Sequence, residues 1–450
     1  MLGWEFPPHI SGGLGTACYG MTKGLDEIGV DVSFVLPTAI PVDPSSHVQF
    51  RTPQDLPAGQ VEWIERVEET FEHVKLHQVP AVLQPYATPE GHEEALTELR
   101  KRSREVTKTK SVPGSSAKAR RKVPAPALPK GSFVPGAGAN YGGDLMGQVQ
   151  RYARLAMELA AEANFDVIHA HDWMTYPGGI AAKAASQKPL VVHVHSTEFD
   201  RSGKNINQHV YDIERMGMHA ADCVVCVSYL TANIVKSRYD VPADKVEVVY
   251  NAVDLPNAHA AMAPISHNEK IVLFLGRVTM QKGPEYFLQA AKKVIDKYKK
   301  VRFVMAGSGD MITRCIEQAA SLGIGRHVTF TGFLRGRNVD RIFQMADLYV
   351  MPSVSEPFGI APLEAMSHNV PVIISKQSGV SEVLTHALKV DFWDIDEMAN
   401  KILAVLRHPS LQRTLRTHGG IELGKLSWRD SAEKLLDVYQ RLAAPPKGGK

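Results

Sequence analysis

Cysteine is scarce in this chain, and long apolar runs are missing. Four cysteines in 450 residues do not make a disulfide framework, and a reducing compartment suits them. No stretch approaches the roughly 18 consecutive apolar residues that a membrane helix needs. The first ten residues also lack the charged leader, apolar run and cleavage site of a secretory signal. We therefore expect a cytoplasmic protein, and membrane binding is not expected.

The C-x-x-C pair, Cys223 and Cys226, lies in "DCVVCVS", which alternates like a buried strand. Residues three apart on a strand point to opposite faces of the sheet. The pair therefore indicates two small core residues rather than a redox or zinc pair.

Negative charge dominates the chain outside one basic segment. Residues 100–130 hold eleven Lys and Arg against the single acidic residue Glu105, which leaves 40 basic and 47 acidic residues elsewhere. The net charge of +3 therefore hides a remainder of about −7. The segment is also rich in Pro, Ser, Ala and Gly, so we predict a disordered insertion at about 92–140. An anionic docking partner is the less favoured interpretation, and no nucleic-acid partner is expected.

Short apolar runs alternate with helical patterns along the rest of the chain. The runs before residue 254 are "DVSFVLP", "DVIHAHD", "PLVVHVHS", "DCVVCVS" and "KVEVVYN". After a loose Ala- and Pro-rich stretch the alternation restarts with "KIVLFLG", "RFVMAG", "HVTFTG", "DLYVMP" and "PVIIS". Strand-helix repetition predicts parallel sheets covered by helices. The fold class is therefore α/β, with two tandem Rossmann-like, doubly wound domains.

The pattern also predicts the domain limits. We expect a first domain at 1–253, a second at 254–427, and a last helix with a tail at 428–450 that crosses back to the first domain. The first strand falls within "MLGWEF" and is short for a central strand, which would normally begin several residues earlier. Ligands of such sheets bind beyond the carboxyl ends of the strands, so the cleft between the domains is the expected active site.

A glycine loop follows the first strand. Gly12, Gly13 and Gly15 permit a close backbone approach, and a helix from about Thr16 would offer free amides to an anion. A tight strand-to-helix turn is the simpler alternative. The loop is not a dinucleotide fingerprint, because Cys18 stands where the third glycine belongs. A nicotinamide dehydrogenase is therefore disfavoured.

Two strands end in paired histidines. His169 and His171 share one face of their strand, and His193 and His195 share one face of the next. A four-histidine metal site is the less favoured interpretation, because hydrogen-bonded core histidines are commoner and neither carboxylate nor thiolate spacing supports a metal. His171 and His195 would emerge at the carboxyl edge of the sheet and face the cleft.

Cations and carboxylates follow strands of the second domain. Arg277 and Lys282 lie in the loop after its first strand, where a planar fork and a point charge suit a diphosphate. Glu356 follows "DLYVMP" in a loop, where it would accept hydrogen bonds from sugar hydroxyls. Glu364 would lie on the helix that follows and reach a ribose.

The start of that helix supplies the remaining donors. We expect Gly359 and Ile360 at the helix start, with Pro362 in the first turn, and the free amides from Phe358 onwards facing a phosphate. Carboxylates for hydroxyls, with amides and cations for phosphates, together indicate a nucleotide-sugar.

These motifs resemble the retaining GT-B glycosyltransferases, a family that includes glycogen and starch synthases, sucrose synthase and many bacterial sugar transferases. The resemblance covers nearly the whole chain outside the basic insertion, and its strongest part is the spacing of Glu356 and Glu364. It implies that Glu356 contacts the donor sugar, that Glu364 contacts the ribose, and that Arg277 and Lys282 contact the diphosphate.

The first domain carries further parts of the resemblance. "HAHDW" is similar to the glycogen-synthase motif and implies that His171 lies near the donor sugar and the reacting centre. "SGGLG" implies that Gly12 and Gly13 close over the phosphates, and "YNAVD" places Asn251 near the cleft. Ile10 stands where these synthases usually have lysine, so the donor base stays open.

The resemblance implies retaining transfer of a hexose, with glucose expected, from ADP- or UDP-glucose to an acceptor hydroxyl. An α-1,4-glucan is the expected acceptor. No metal and no cofactor are expected, since the nucleotide-sugar is a substrate. The alternatives are a lipid or small-molecule sugar acceptor, a nucleotide-sugar epimerase of the same fold, and a catalytically silent sugar-binding protein.

Overall fold

Parallel strands alternate with helices along the chain and assemble into two sheets. The computed structural model describes residues 1–7, 13–37, 73–79, 145–254 and 268–444. Gly12, the predicted insertion at 92–140 and most of the predicted linker lie outside the described residues.

The first sheet is built from the strands before residue 254. Its strands are β1 (Val32–Pro37), β2 (Val74–Val79), β3 (Ile168–His171), β4 (Leu190–Val194), β5 (Cys223–Cys226) and β6 (Val246–Val248). Its helices are α1 (Gly13–Glu27), α2 (Leu145–Glu162), α3 (Tyr176–Ser186), α4 (Glu198–Ser202), α5 (Gln208–Ala220) and α6 (Tyr229–Arg238). β3, β4 and β5 are buried throughout, as expected of parallel strands covered by helices on both faces.

The N-terminal segment joins two parts of this sheet. One part has the order β2-β1 and the other has the order β3-β4-β5-β6. Leu2 forms parallel bridges to Val35 of β1 and Ala170 of β3. Its N–H donates to the His169 carbonyl at 2.7 Å, and its carbonyl accepts from the His171 N–H at 2.9 Å. The predicted first strand is therefore present as a short bridge in the middle of the sheet.

The second sheet is parallel, with the order β12-β11-β10-β7-β8-β9. Its strands are β7 (Lys270–Leu275), β8 (Val301–Ala306), β9 (Val328–Gly332), β10 (Leu348–Met351), β11 (Val372–Ser375) and β12 (Leu388–Val390). The helices that accompany it are α7 (Pro284–Lys297), α8 (Ile312–Ser321), α9 (Arg337–Met345), α10 (Ala361–Ser367), α11 (Val380–Val383), α12 (Ile395–Arg407) and α13 (Pro409–Leu423). Two helix-covered parallel sheets confirm the predicted fold class.

The last described helix, α14 (Trp428–Ala443), packs against α1. Two glycines of α1 make this contact close. A Cβ added to Gly20 would lie 2.0 Å from the Trp428 ring, and one added to Gly24 would lie 2.3 Å from the Trp428 carbonyl oxygen. The last described helix therefore packs against α1, an element of the first half of the chain. The domain limits themselves stay a prediction.

Cys223 and Cys226 are buried in β5 and are free thiols. Cys223 packs in the core cluster that contains α1, whereas Cys226 packs in the cluster on the opposite face. This confirms that the pair occupies a buried strand with opposite orientations. None of the helices in the described ranges has the length and apolar character of a membrane span.

Candidate functional site

A cavity of about 340 Å³ lies between the carboxyl ends of the two sheets. Among the residues that line it are nine of the predicted site residues: Gly13, Asn251, Arg277, Lys282, Glu356, Phe358, Gly359, Ile360 and Glu364. The first two come from the first half of the chain and the others from the second half. One hollow therefore brings together the cations, the carboxylates and the helix start that lie far apart in the sequence.

The two cations are held by the loop after β7. Arg277 follows the end of this strand, and Lys282 ends a short 3-10 helix, Met280–Lys282. Gly283 then has φ +65, and a Cβ there would lie 2.1 Å from the Pro352 carbonyl oxygen. Only glycine fits this turn, because the chain passes close to the Pro352 carbonyl just after β10 before α7 begins.

Glu356 is held by hydrogen bonds on several sides. Its Oε2 lies 2.5 Å from the Lys282 Nζ and accepts from the Ser353 hydroxyl at 3.1 Å. Its backbone N–H donates to the Gln377 carbonyl, and its carbonyl accepts from the Gly379 N–H. The Glu356 side chain is only 7% exposed, so its carboxylate has a fixed position next to the lysine.

Helix α10 begins at Ala361, two residues after Gly359, where its start was predicted. Ile360 is the N-cap, Ala361 is the first helical residue, and Pro362 lies in the first turn as expected. Gly359 has φ +99, a conformation that favours glycine. Glu364 is placed on the cavity side of the helix, and burial raises the pKa of its carboxyl.

The wall from the first half of the chain includes Asn251, whose side chain is buried. Its Oδ1 has no hydrogen-bond partner among the described residues. Gly13 starts α1 beside the cavity, but the Gly15 N–H donates to the Glu5 carboxylate at 3.2 Å. One amide at this helix start is therefore already paired with an acidic side chain.

His171 lies behind the cavity wall rather than in it. It is 1% exposed, and its Nδ1 lies 3.0 Å from the Nε2 of His195, which does line the cavity. The expectation that both would face the cleft therefore holds for His195 alone, because the His171 ring points beneath α1. Burial lowers the pKa of His171 well below its usual range and that of His195 to about 3, so both rings are neutral.

Sequence reasoning missed several residues that line the cavity. Asp172, Trp173 and Arg201 are among them, together with Trp4 and Glu5. Asp172 and Trp173 directly follow β3, and Arg201 lies in α4, the helix after β4. The rule that ligands bind beyond the strand ends was therefore the signal that could have found these three.

Asp172 and Arg201 lie in a network of polar contacts. The Asp172 carboxylate accepts from the His195 N–H at 2.9 Å, and burial raises the pKa of this carboxyl to about 7. Arg201 forms ion pairs with Glu198, at 3.2 Å, and with Glu214. Two buried carboxylates thus face this guanidinium.

Hydrogen bonds cross from one half of the chain to the other beside the cavity. The Ser355 hydroxyl donates to Asp200 Oδ1 at 2.5 Å, and the Ser228 hydroxyl donates to the Pro357 carbonyl at 2.6 Å. The Glu382 carboxylate accepts from the first two amides of α6, at 2.9 and 2.7 Å. The loop that carries Glu356 is therefore held from both sides.

Two parallel sheets that face each other across such a cavity define the GT-B class of fold. A crystal structure of HepE from Anabaena, in complex with UDP and glucose, has the same architecture with a TM-score of 0.64. It is 16% identical, and the match covers 98% of each chain, so this likeness concerns the fold.

The sequence comparisons identify the family. Residues 258–419 match the profile described as glycosyl transferases group 1, and residues 93–256 match glycosyltransferase family 4. An uncharacterized glycosyltransferase of Methanocaldococcus jannaschii is 31% identical over 296 residues, covering 61% of this chain and 75% of the relative. The D-inositol 3-phosphate glycosyltransferase of Mycolicibacterium smegmatis is 29% identical over 304 residues, covering 62% and 67%. The chain belongs to the glycosyltransferase group 1 family and is a glycosyltransferase.

The GT-B resemblance is thus confirmed at the level of the fold and the family. The glycogen-synthase subtype, the retaining mechanism and the role of each site residue remain predictions.

Proposed function

We propose that this glycosyltransferase moves a hexose, glucose in the first instance, from ADP- or UDP-glucose to the hydroxyl of an α-1,4-glucan with retention of configuration. The observation that carries the proposal is the meeting of Arg277, Lys282 and Glu356 in one cavity, with the lysine 2.5 Å from the glutamate. Two cations beside a fixed carboxylate suit a diphosphate joined to a polyhydroxylated ring. The Anabaena structure with UDP and glucose supports a donor of this class.

Arg277 and Lys282 are the groups proposed to stabilise the leaving diphosphate. Negative charge grows on the phosphate oxygen as the glycosidic bond breaks, and fixed cations in a water-poor cleft lower the free energy of that transition state. The acceptor hydroxyl attacks from the face that the diphosphate leaves, and its proton passes to the departing phosphate. No covalent protein nucleophile and no metal are needed in this scheme.

The carboxylates are proposed to bind rather than to attack. Glu356 is paired with Lys282 and Ser353, which suits a carboxylate that orients sugar hydroxyls and its neighbouring cation. Glu364 is proposed to hold the ribose. Asn251 has a buried Oδ1 at the cavity that pairs with none of the described residues, and such an acceptor suits a ligand hydroxyl.

The test is an incubation of the protein with a panel of nucleotide-glucoses, with and without glycogen or malto-oligosaccharides. We expect release of nucleoside diphosphate that depends on the glucan, with an α-linkage in the product by NMR. Conversion of the donor at the same rate with and without the acceptor would indicate an epimerase instead. Binding of the donor without turnover would indicate a catalytically silent sugar-binding protein.

A small-molecule acceptor is the second candidate, since the relative from Mycolicibacterium smegmatis is named for D-inositol 3-phosphate. Adding inositol phosphates and simple sugars to the same panel separates the two acceptors. Transfer to these compounds, with none to glucans, would replace the glucan proposal while leaving the donor chemistry in place. A lipid acceptor is tested by binding to liposomes.

A further inference from the structure

Four histidines stack beneath α1, on the face of the first sheet that the helix covers. The ring centroids of His169, His171, His193 and His195 are 4.2 to 5.4 Å apart in the stacked pairs. Imidazole nitrogens are the commonest protein ligands for metal ions.

The rings have few hydrogen bonds, although core histidines are commonly hydrogen-bonded. The His169 Nδ1 meets the Tyr439 hydroxyl at 2.5 Å, and the His171 Nδ1 meets the His195 Nε2 at 3.0 Å. Five of the eight ring nitrogens are buried and have no hydrogen-bond partner in the described part of the chain: His169 Nε2, His171 Nε2, His193 Nδ1, His193 Nε2 and His195 Nδ1. Buried polar atoms are rarely left unpaired, and a missing ion or water is the usual explanation.

A thiol completes a set of metal ligands. Cys18 extends from α1 and is fully buried. Its sulfur, one nitrogen of His171 and one nitrogen of His195 all lie within 4.8 Å of one another. No thiol lies near these histidines in the sequence, but the folded chain brings Cys18 there from another element.

We propose that Cys18, His171 and His195 form a binding site for a zinc ion. Thiolate and imidazole together favour zinc among the common ions, and three protein ligands leave the fourth position of a tetrahedral ion open. His195 lines the cavity, so the site has a route to solvent. In a zinc site each of these three ligand atoms would lie about 2.0 to 2.3 Å from the ion.

Charge around the site suits a cation. Asp172 directly follows His171 in the chain, and the Glu5 carboxylate accepts from the Gly15 N–H of the helix that carries Cys18. Zinc binding forms the Zn–S bond and breaks the S–H bond, and the thiol proton leaves to solvent. The bound ion is then partly neutralised by the thiolate.

The experiment uses the full-length protein without a histidine tag, stripped with a chelator and then given one molar equivalent of Zn²⁺ or Co²⁺. After desalting, we expect one ion per chain by elemental analysis. The cobalt form should show the visible bands of a tetrahedral ion and a near-ultraviolet sulfur-to-cobalt band. Cys18→Ser and Cys18→Ala should both lose the sulfur band, and His195→Gln should lower the bound metal.

Cys315→Ser is the matched control, because Cys315 is a fully buried free thiol in the other sheet's core. It should retain both the metal and the sulfur band. A wild-type protein that binds no ion after desalting, or one whose bound ion is unchanged by the Cys18 and His195 substitutions, would overturn the proposal. These readouts do not involve transfer, so the zinc site and the proposed function succeed or fail separately.

Discussion

Replacing Lys282 with alanine tests the centre of the proposed donor site. The Lys282 side chain is 22% exposed and that of Glu356 is 7% exposed, with the two charges 2.5 Å apart. The substitution removes a cation from the leaving diphosphate. Loss of one fixed donor to a developing oxyanion costs about 2.7–4 kcal/mol, or about 10²–10³ in kcat. We therefore expect Lys282→Ala to lower kcat by a factor in this range.

The fold should survive this change. Glu356 keeps its hydrogen bond from Ser353, and Lys282 is partly open to water. The stability lost should therefore be nearer to the about 1.5–3 kcal/mol of one charged hydrogen bond than to the about 3–5 kcal/mol of a fully buried pair. Thermal unfolding measures this loss independently of activity.

The assay is the rate of nucleoside diphosphate release at saturating donor, with kcat and KM determined separately. Lys292→Ala is the control, because Lys292 forms an exposed pair with Asp296 in which both side chains are at least 40% exposed. Exposed ion pairs contribute little to stability, so the control should be nearly silent. Near-normal kcat in Lys282→Ala, or an equal loss in Lys292→Ala, would refute the assignment of the diphosphate to this loop.

Three further outcomes are expected. Gly283→Ala should lower Tm, because Gly283 has φ +65 and the added Cβ would lie 2.1 Å from the Pro352 carbonyl oxygen. Gly420→Ala is the control: its added Cβ would have nothing within 4 Å, so Tm should stay the same or rise. Between the ordinary pKa of 3.8 and about 7, the folded protein keeps a proton on Asp172 that the unfolded chain loses. The stability of the wild type should therefore fall relative to that of Asp172→Asn as pH rises through this window. Free energies of unfolding from denaturant titrations at several pH values would contradict this if they changed equally in the two proteins. Glu382→Ala removes the acceptor of two α6 amides across the cleft, so hydrogen exchange at the start of α6 should increase. Unchanged exchange would show that this contact does not hold the two halves of the chain together.

Features that depend on neighbours in the sequence were predicted best. "DLYVMP" gave β10, and the residues after it carry Glu356 and the start of α10 to the cavity. A strand end fixes where its loop emerges, so Arg277 and Lys282 could be assigned to the same edge before their contacts were known. Helix α10 begins at Ala361 rather than at Gly359 because the glycine adopts a positive φ just before it.

Features that depend on packing between distant elements were not predictable. Nothing in "HAHDW" indicates that Cys18 lies beside His171, because α1 reaches this strand only in the folded chain. The hydrogen bond between Ser355 and Asp200 also joins a loop of the second sheet to helix α4 of the first, and neither segment carries a motif for the other. Sequence patterns predict which residues lie at the edge of a sheet. Which side chains meet across a cleft depends on how the two sheets face one another.

The fit of Trp428 against the glycines of α1 affects the order in which this chain matures on the ribosome. Residues of α1 leave the exit tunnel early, yet the helix that covers Gly20 and Gly24 is synthesised more than four hundred residues later. The usual sequence, in which an N-terminal domain completes its folding during translation, therefore does not apply in full here. Burial of this surface therefore waits until the residues of α14 have been synthesised.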